Sequence, residues 1–453
     1  MKNNIKDTIC ALASANGISA IALVRLSGKK ALQIGNQIFS KNLIDMESHT
    51  IHFGYIKDKE ELIDEVLISF FKGPNSFTGE DVIEISCHGS IYIQNRLLQL
   101  LISKGARMAT EGEFTLRAFS NRKMDLSQAE AIADLIASEG KEAHKIAINQ
   151  MRGEFSNELK RLRTKLVNFA SLIELELDFS EEDVEFADRR KFQDLLIKIQ
   201  EKLKLLIESF QLGNVIKNGI PVAIVGTSNV GKSTLLNTLV REEKAIVTDI
   251  AGTTRDIIED EIHIDGIKFR FIDTAGLRNT SDKIEKIGIK KAIKKAKEAK
   301  IIIYLLDATS DIKEQEIEIK RIKKKLKKNL ILVVNKIDLN PGIKKQFKEK
   351  NFLFISAKQK KGINKLTKKL KESININKLY TNNTIVSNSR HFDELNGTLK
   401  EIITISEGLK NGISEDLLAV NIRKALYHLG NITGEVTTDE LLGNIFRRFC
   451  IGK

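Results

Sequence analysis

The chain is poor in cysteine. Only Cys10, Cys87 and Cys450 occur among 453 residues, with no C-x-x-C pair and no clustering with histidine. Neither a disulfide framework nor a structural zinc site is therefore expected, and a reducing cytosol fits. The chain also lacks a continuous apolar run of the ~18 residues that would cross a bilayer. Thr8 to Val24, with Ala13-Ser14-Ala15, imitates a signal peptide in composition, but Asn16-Gly17 interrupts it. That pair predicts a two-residue hairpin turn between short strands. The expectation is a cytoplasmic protein without a membrane partner.

Hydrophobic residues at 42% and charged residues at 29% describe a globular chain with several cores, longer than one ordinary domain. The net charge of +13 permits nucleic acid or another anionic partner without requiring one. Part of the surplus sits in lysine runs such as Lys323-Lys324-Lys325-Leu326-Lys327-Lys328, which read as a solvated helix face.

Periodicity divides the chain. The first 120 or so residues read as mixed α and β, with strands over Ile18–Leu26 and Val82–Ser86 and a helix over Ser90–Lys104 that stops at Gly105. From Leu126 to about Gly213 the spacing is that of long amphipathic helices. Between Ile220 and about Lys371, short apolar runs alternate with helices: Val222–Val225, Phe269–Ile272, Ile301–Leu306, Leu330–Val334 and Phe352–Ile355. Such alternation predicts a mostly parallel sheet with helices on both faces. Helical spacing returns over Leu395–Ile405 and Leu417–Leu429, so the α/β block reads as an insertion in a helical domain.

Gly226-Thr227-Ser228-Asn229-Val230-Gly231-Lys232-Ser233 is G-x-x-x-x-G-K-S between a predicted strand and a predicted helix, the context of a phosphate loop. Its glycines let backbone amides reach phosphates, Lys232 adds a point charge, Ser233 is the expected Mg²⁺ ligand, and Thr234 follows on the first helical turn. Asp273-Thr274-Ala275-Gly276 closes the next strand, where a carboxylate reaches the Mg²⁺ shell and a glycine amide the γ-phosphate. Asn335-Lys336-Ile337-Asp338 follows another strand, and its aspartate can accept both guanine N–H groups. Ser356-Ala357-Lys358 can close over the base. Four motifs in order, each at a strand's C-terminal end, point to GTP.

The segment Thr248-Asp249-Ile250-Ala251-Gly252-Thr253-Thr254 lies between the first two, and Thr254 is the expected second Mg²⁺ ligand. Hydrolysis needs a group to orient water. Leu277 occupies the position after D-x-x-G where many GTPases carry glutamine, so the charge must come from elsewhere. Glu285 is the nearby candidate, although on the residues alone it serves equally as a solvated helix-start carboxylate. No obvious arginine finger is encoded; Arg255 and Arg278 are read as making local contacts, with the finger role as the alternative.

Several stretches outside this block carry a resemblance: Gly79-Glu80-Asp81-Val82-Ile83-Glu84-Ile85 with His88-Gly89; Arg117-Ala118-Phe119 through Lys123; Asp125-Leu126-Ser127-Gln128-Ala129-Glu130-Ala131; and the terminal Phe449-Cys450-Ile451-Gly452-Lys453. Together with the nucleotide motifs they resemble the tRNA-modification GTPase family MnmE (TrmE), of the TrmE-Era-EngA-like GTPases (TRAFAC class), over essentially the whole chain. The resemblance implies an N-terminal α+β domain that binds tetrahydrofolate and dimerises (1–123), a helical domain (124–218 and 376–453) and an inserted Ras-like P-loop G domain (219–375). It implies a homodimer whose G domains associate when GTP and K⁺ bind, with K⁺ held by Asn229, Thr248, Ile250 and Thr253, and with Glu285 orienting the attacking water. It implies folate contacts at Arg25, Glu84, Lys123 and Lys453; without it, Arg25 reads as an ordinary surface cation. The family often has a Pro- and Gly-rich loop before the Arg25 strand, and Ala15-Asn16-Gly17-Ile18-Ser19-Ala20 departs from that.

Cys450 could be a nucleophile, a proton donor or a structural thiol, and Cys450-Ile451-Gly452-Lys453 is not a prenylation box. The function implied is GTP hydrolysis coupled, with MnmG (GidA) in a heterotetramer or larger complex, to wobble-uridine modification of tRNA. An aminomethyl-type group, chiefly carboxymethylaminomethyl, would be added at C5. The one-carbon unit would come from 5,10-methylenetetrahydrofolate or 5-formyltetrahydrofolate. FAD would sit on MnmG, because no G-x-G-x-x-G opens a strand–helix unit here. The alternative is a ribosome-assembly or RNA-binding GTPase switch without modification chemistry. A third reading is a folate-dependent aminomethyltransferase with a GTPase attached.

Overall fold

A computed structural model describes residues 7–178, 189–244, 260–272, 299–325, 329–347, 351–374, 384–447 and 449–452. They form two packed units. One comprises Met1–Ile136, Ile148–Gln200 and Gly397–Lys453, the other Ala137–Ala147 and Glu201–Asn396.

The first unit opens with strands β1 (Ile9–Leu12), β2 (Ile21–Ser27), β3 (Thr50–Asp58), β4 (Glu61–Phe71), β5 (Val82–His88) and β6 (Arg107–Met108). They lie in the order β3-β4-β5-β2-β1-β6, with only β1 and β6 parallel. Alternation along the strands sends Cys10, Val24, Leu26, Val66, Ile68, Ile83 and Ile85 into one core. The helices α1 (Ala31–Ile38) and α2 (Ile91–Ser103) add Ile34, Ile38, Leu97 and Leu100 to it. A sheet buried on one face and part-covered on the other accounts for the period of two.

Asn16-Gly17 does not form a two-residue hairpin turn. Leu12 pairs with Val24, so the turn residues sit inside a longer loop between β1 and β2. Gln94 Nε2 donates to Gly17 O at 3.0 Å, Ser19 N donates to Gly89 O at 3.1 Å, and Leu23 N donates to Ser14 Oγ at 3.2 Å. The first two bonds hold the loop against α2 and the end of β5, while the third ties its start to β2. The strand accordingly starts at Ile21, not Ile18, which is 86% exposed.

Helices α3 (Glu113–Ser120), α4 (Leu126–Ile136), α5 (Lys141–Met151), α6 (Glu154–Asp178) and α7 (Arg189–Asn218) follow. Asp125 and Gln128 build a reciprocal cap on α4: Gln128 N donates to Asp125 Oδ1 at 3.1 Å and Asp125 N to Gln128 Oε1 at 3.0 Å. After the middle block come helices Ser389–Lys410, Glu415–Thr433 and Asp439–Phe446. The second of these packs along α6, and Ile445, Phe446 and Phe449 close a cluster with Leu126 and Ala129 of α4.

The second unit is built on β7 (Ile220–Gly226), β8 (Asp260–Ile264), β9 (Ile267–Phe271), β10 (Ile301–Asp307), β11 (Asn329–Asn335) and β12 (Phe352–Phe354), in the order β12-β11-β10-β7-β9-β8. All pairs are parallel except β8 with β9. Sequence reading missed β8, whose Asp260-Glu261-Ile262-His263-Ile264 is too polar for an apolar-run criterion but suits an edge strand. Ile301, Ile303 and Leu305 face a core with α8 (Lys232–Lys244) and the helix Ile363–Glu372; Ile302, Tyr304 and Leu306 face one with the helix Ile312–Lys325. Burial on both sides explains why these strands read as continuous apolar runs. No described helix is long and apolar enough to cross a membrane.

Candidate functional site

β7 ends at Gly226 and α8 begins at Lys232, so the octapeptide is a strand-to-helix turn. A Cβ on Gly226 would stand 2.6 Å from Leu305 O, so the close approach of β10 requires glycine. The turn takes two left-handed residues, Asn229 (φ 59°) and Gly231 (φ 96°); asparagine is among the side chains that tolerate this region best. Val230 is buried as the anchor, while Asn229, Ser233 and Thr234 are exposed. The Lys232 ammonium donates to Gly226 O at 2.9 Å and Thr227 O at 2.7 Å, which keeps the charge over the loop. The free N–H groups and positive end of α8 face the same side. This arrangement suits an oligophosphate.

The base end is built from β11 and β12. Asn335 is 2% exposed; its Nδ2 donates to Val230 O at 2.9 Å and its Oδ1 accepts Ala357 N at 3.0 Å. One amide thus ties the phosphate loop to Ser356-Ala357-Lys358. Thr238 of α8 adds a second tie, donating to Ala357 O at 3.0 Å. Asp338 lies beside Ser356, whose hydroxyl outweighs the opposing effect of burial and, with Lys358 and Lys361, holds the carboxyl below its usual pKa. Its Oδ1 is buried without a hydrogen-bond partner among the described residues. An ionised carboxylate with such an oxygen suits the paired N–H donors of guanine.

Lys336 adopts φ 64°, and its ammonium lies 2.6 Å from Asp307 Oδ2 at the end of β10. Burial pushes the Asp307 carboxyl up, but hydrogen bonds from Lys336 and from Thr309 N and Oγ1 outweigh it and leave the pKa lowered. Sequence reading missed Asp307, Thr309 and Thr238. The one available signal was a carboxylate ending the run Ile301–Leu306.

Thr248, Asp249, Ile250, Ala251, Gly252, Thr253, Thr254, Asp273, Thr274, Ala275, Gly276, Glu285 and Lys453 lie outside the described residues. Of the expected cation ligands, the Asn229 amide and the Ser233 hydroxyl remain. Both are exposed oxygen donors on the loop, of the hard type that suits Mg²⁺ and alkali ions.

The second expected site is on the first unit. Arg25 and Glu84 are cross-strand neighbours on β2 and β5 and pair with each other, Nη2 to Oε1 at 2.7 Å and Nε to Oε1 at 2.8 Å. Arg25 also lies over the rings of Phe77 and Phe114, 5.5 and 5.7 Å from their centroids. Its Nη1 donates to Gly452 O at 3.1 Å, so the C-terminal tail of the same chain meets this pair. Gly112 N donates to Cys450 O at 3.4 Å, and the Cys450 side chain is exposed. Lys123 Nζ donates to Pro74 O at 2.8 Å. Arg25 is thus no ordinary surface cation.

The same unit holds a network unforeseen in the sequence. Arg117, 1% exposed, reaches Asp7 at 2.7 Å, Glu113 at 3.0 Å and Glu80 at 3.2 Å. Arg107 joins it through Asp7 and Glu113, each at 2.7 Å. Cys10 and Cys87 are both buried, and desolvation raises each thiol pKa to about 11; neither is a reactive thiol.

The GTP-binding protein TrmE N-terminus family matches residues 8–123, and the MnmE helical domain family matches residues 126–450. The chain belongs to the MnmE family. It is 56% identical over 463 aligned residues to the tRNA modification GTPase MnmE of Flavobacterium johnsoniae, covering 99% of each chain. Identity is 52% to the MnmE of Cytophaga hutchinsonii, over 99% of this chain and 98% of the relative. It is 50% to that of Bacteroides fragilis, over 99% and 100%. The MnmE resemblance carried by the four stretches and the nucleotide motifs thus holds along the whole chain, and the α4 cap shows what Asp125 and Gln128 of one stretch do physically.

Proposed function

We propose that this chain is a GTP hydrolase acting in tRNA modification. The observation that carries the proposal is the conjunction of a phosphate loop tied through Asn335 to Ser356-Ala357-Lys358 with near full-length similarity to tRNA modification GTPases. The phosphate loop and Lys232 hold the triphosphate, Asp338 selects guanine, and Asn335 fixes the distance between the two ends. Mg²⁺ would be held by Ser233 and Thr254, and K⁺ by Asn229, Thr248, Ile250 and Thr253. Bound there, K⁺ would supply the positive charge that other GTPases obtain from an arginine finger. Glu285 orients the attacking water, the role Leu277 cannot fill.

The finer reading is that two chains associate, that a tetrahydrofolate one-carbon unit binds near Arg25, Glu84, Lys123 and Lys453, and that MnmG supplies FAD. The domains are then 1–123, 124–218 with 376–453, and 219–375. The Arg25–Glu84 pair bears on the folate reading. Each group is partly neutralised by the other, so a ligand engages the pair as a unit, with the Phe77 and Phe114 rings offering an aromatic wall. Cys450 lies on the tail that reaches this pair.

The test is analysis of wobble-uridine nucleosides in tRNA from cells lacking the protein. Loss of the modified uridine is expected, and an unchanged nucleoside profile refutes the modification role in favour of a switch. GTP turnover should be faster in K⁺ than in Na⁺; equal rates remove the cation part of the proposal.

A further inference from the structure

One stretch carries a large share of the chain's positive charge on a folded sheet edge, beside the shorter basic run 320–328. Residues 341–372 hold 11 lysines and two glutamates, with no arginine or aspartate, for a net charge of +9. The whole chain carries +13, so the other 421 residues share a surplus of only four.

The fold brings the described lysines of this stretch together around one sheet edge. β12 is the outermost strand on its side. On one face, Ile343 and Phe347 are buried beside Phe352 and Phe354, and Lys344 and Lys345 stand exposed on the short 3₁₀ turn Ile343–Lys345. On the other face, the helix Ile363–Glu372 buries Ile363, Leu366 and Leu370 and leaves Lys365, Lys368 and Lys369 exposed. Lys369 pairs with Glu372 at 3.6 Å and Lys371 with Asp265 at 2.7 Å, and the Lys344 ammonium lies 6.0 Å from the Phe354 ring centroid.

We propose that this lysine rim on both sides of β12 is a docking surface for the tRNA phosphate backbone. The inference rests on the tRNA reading above. Charge complementarity identifies the occupant: exposed ammonium groups on two layers of one edge, in excess over the carboxylates beside them, suit a polyanion's phosphates rather than its bases. Lysines would also guard an open edge from pairing with another strand. That duty alone needs one or two charges, not a surplus of nine on 32 residues. The surface binds without sequence preference, so any selection among tRNAs arises elsewhere.

The experiment is filter binding of unmodified tRNA to the full chain across a salt series. The variant carries K344Q, K345Q, K365Q, K368Q and K369Q, none of them in the phosphate loop or the guanine motifs. A control carries five glutamines at the exposed lysines Lys29, Lys41, Lys57, Lys59 and Lys410. The rim variant should lose roughly four units of the log Kd against log salt slope and bind more than about tenfold more weakly at physiological salt. The control should bind like the unaltered chain, and GTP turnover without tRNA should be unchanged in both, which shows that they fold. A rim variant with unaltered affinity and slope, or a control equally weakened, overturns the surface while leaving the tRNA reading intact. Failure of the unaltered chain to bind tRNA even at low salt overturns both.

Discussion

Asn335→Ala tests whether one buried amide sets the geometry of the nucleotide site. The side chain is 2% exposed and makes two hydrogen bonds, to Val230 O at 2.9 Å and from Ala357 N at 3.0 Å. Truncation leaves a carbonyl and an amide without those partners in a closed environment, at about 1–3 kcal/mol each. The expected loss is therefore about 2–6 kcal/mol of local stability, divided between the phosphate loop and the base loop. A chain with more than one packed unit does not unfold in one step, so a global unfolding midpoint is a poor readout. Hydrogen exchange at the Ala357 amide reads the site directly. Its protection should fall by about 5- to 150-fold, the equivalent of 1–3 kcal/mol, and GTP affinity should fall at least tenfold. Asn335→Asp separates the two bonds: it keeps the acceptor for Ala357 N but turns a carboxylate oxygen toward Val230 O. Ala357 protection should then survive while GTP affinity is lost. If Asn335→Ala leaves both protection and affinity within about twofold of the unaltered chain, the tether argument is wrong.

Asp338→Asn replaces two charge-assisted acceptor contacts to guanine, worth about 1.5–3 kcal/mol each, so GTP should bind at least about 100-fold more weakly while xanthosine triphosphate gains; competition binding of the two nucleotides decides. Arg117→Ala leaves Asp7, Glu80 and Glu113 without their shared cation and should cost about 3–5 kcal/mol, measured as an earlier urea transition of the N-terminal sheet by near-ultraviolet dichroism. The same network gives a pH dependence. For Asp7 and Glu113, burial raises the pKa but the guanidinium hydrogen bonds prevail and leave it lowered. A carboxylate with a depressed folded pKa stabilises fully above its unfolded value and loses that contribution as pH falls through the folded one. Stability of this sheet should therefore be level from pH 7 to about 5 and decline below about 4; a decline already complete at pH 6 would contradict it.

The sequence by itself determined what is contiguous. Gly226–Ser233, Asn335–Asp338 and Ser356–Lys358 each carry their chemistry within a few residues, because a phosphate loop or a strand-end motif is a local backbone shape. The runs Ile301–Leu306 and Leu330–Val334 announced buried parallel strands because both of their faces are covered, and Asp125-Leu126-Ser127-Gln128 held a helix cap within four positions. Only the tertiary structure decided which distant groups satisfy one another. Asp307 meets Lys336 across 29 positions, Arg25 meets Glu84 across 59 and Gly452 across 427, and Arg117 meets Asp7 across 110. It also decided that Asn16-Gly17 bends within a longer loop, because Gln94 and Gly89 offer its backbone better partners than its own flanking strands do. Periodicity reports which face of an element is buried. It carries no information on which buried charge or unpaired backbone group waits on the other side, and there the chain has to fold before the pairing exists.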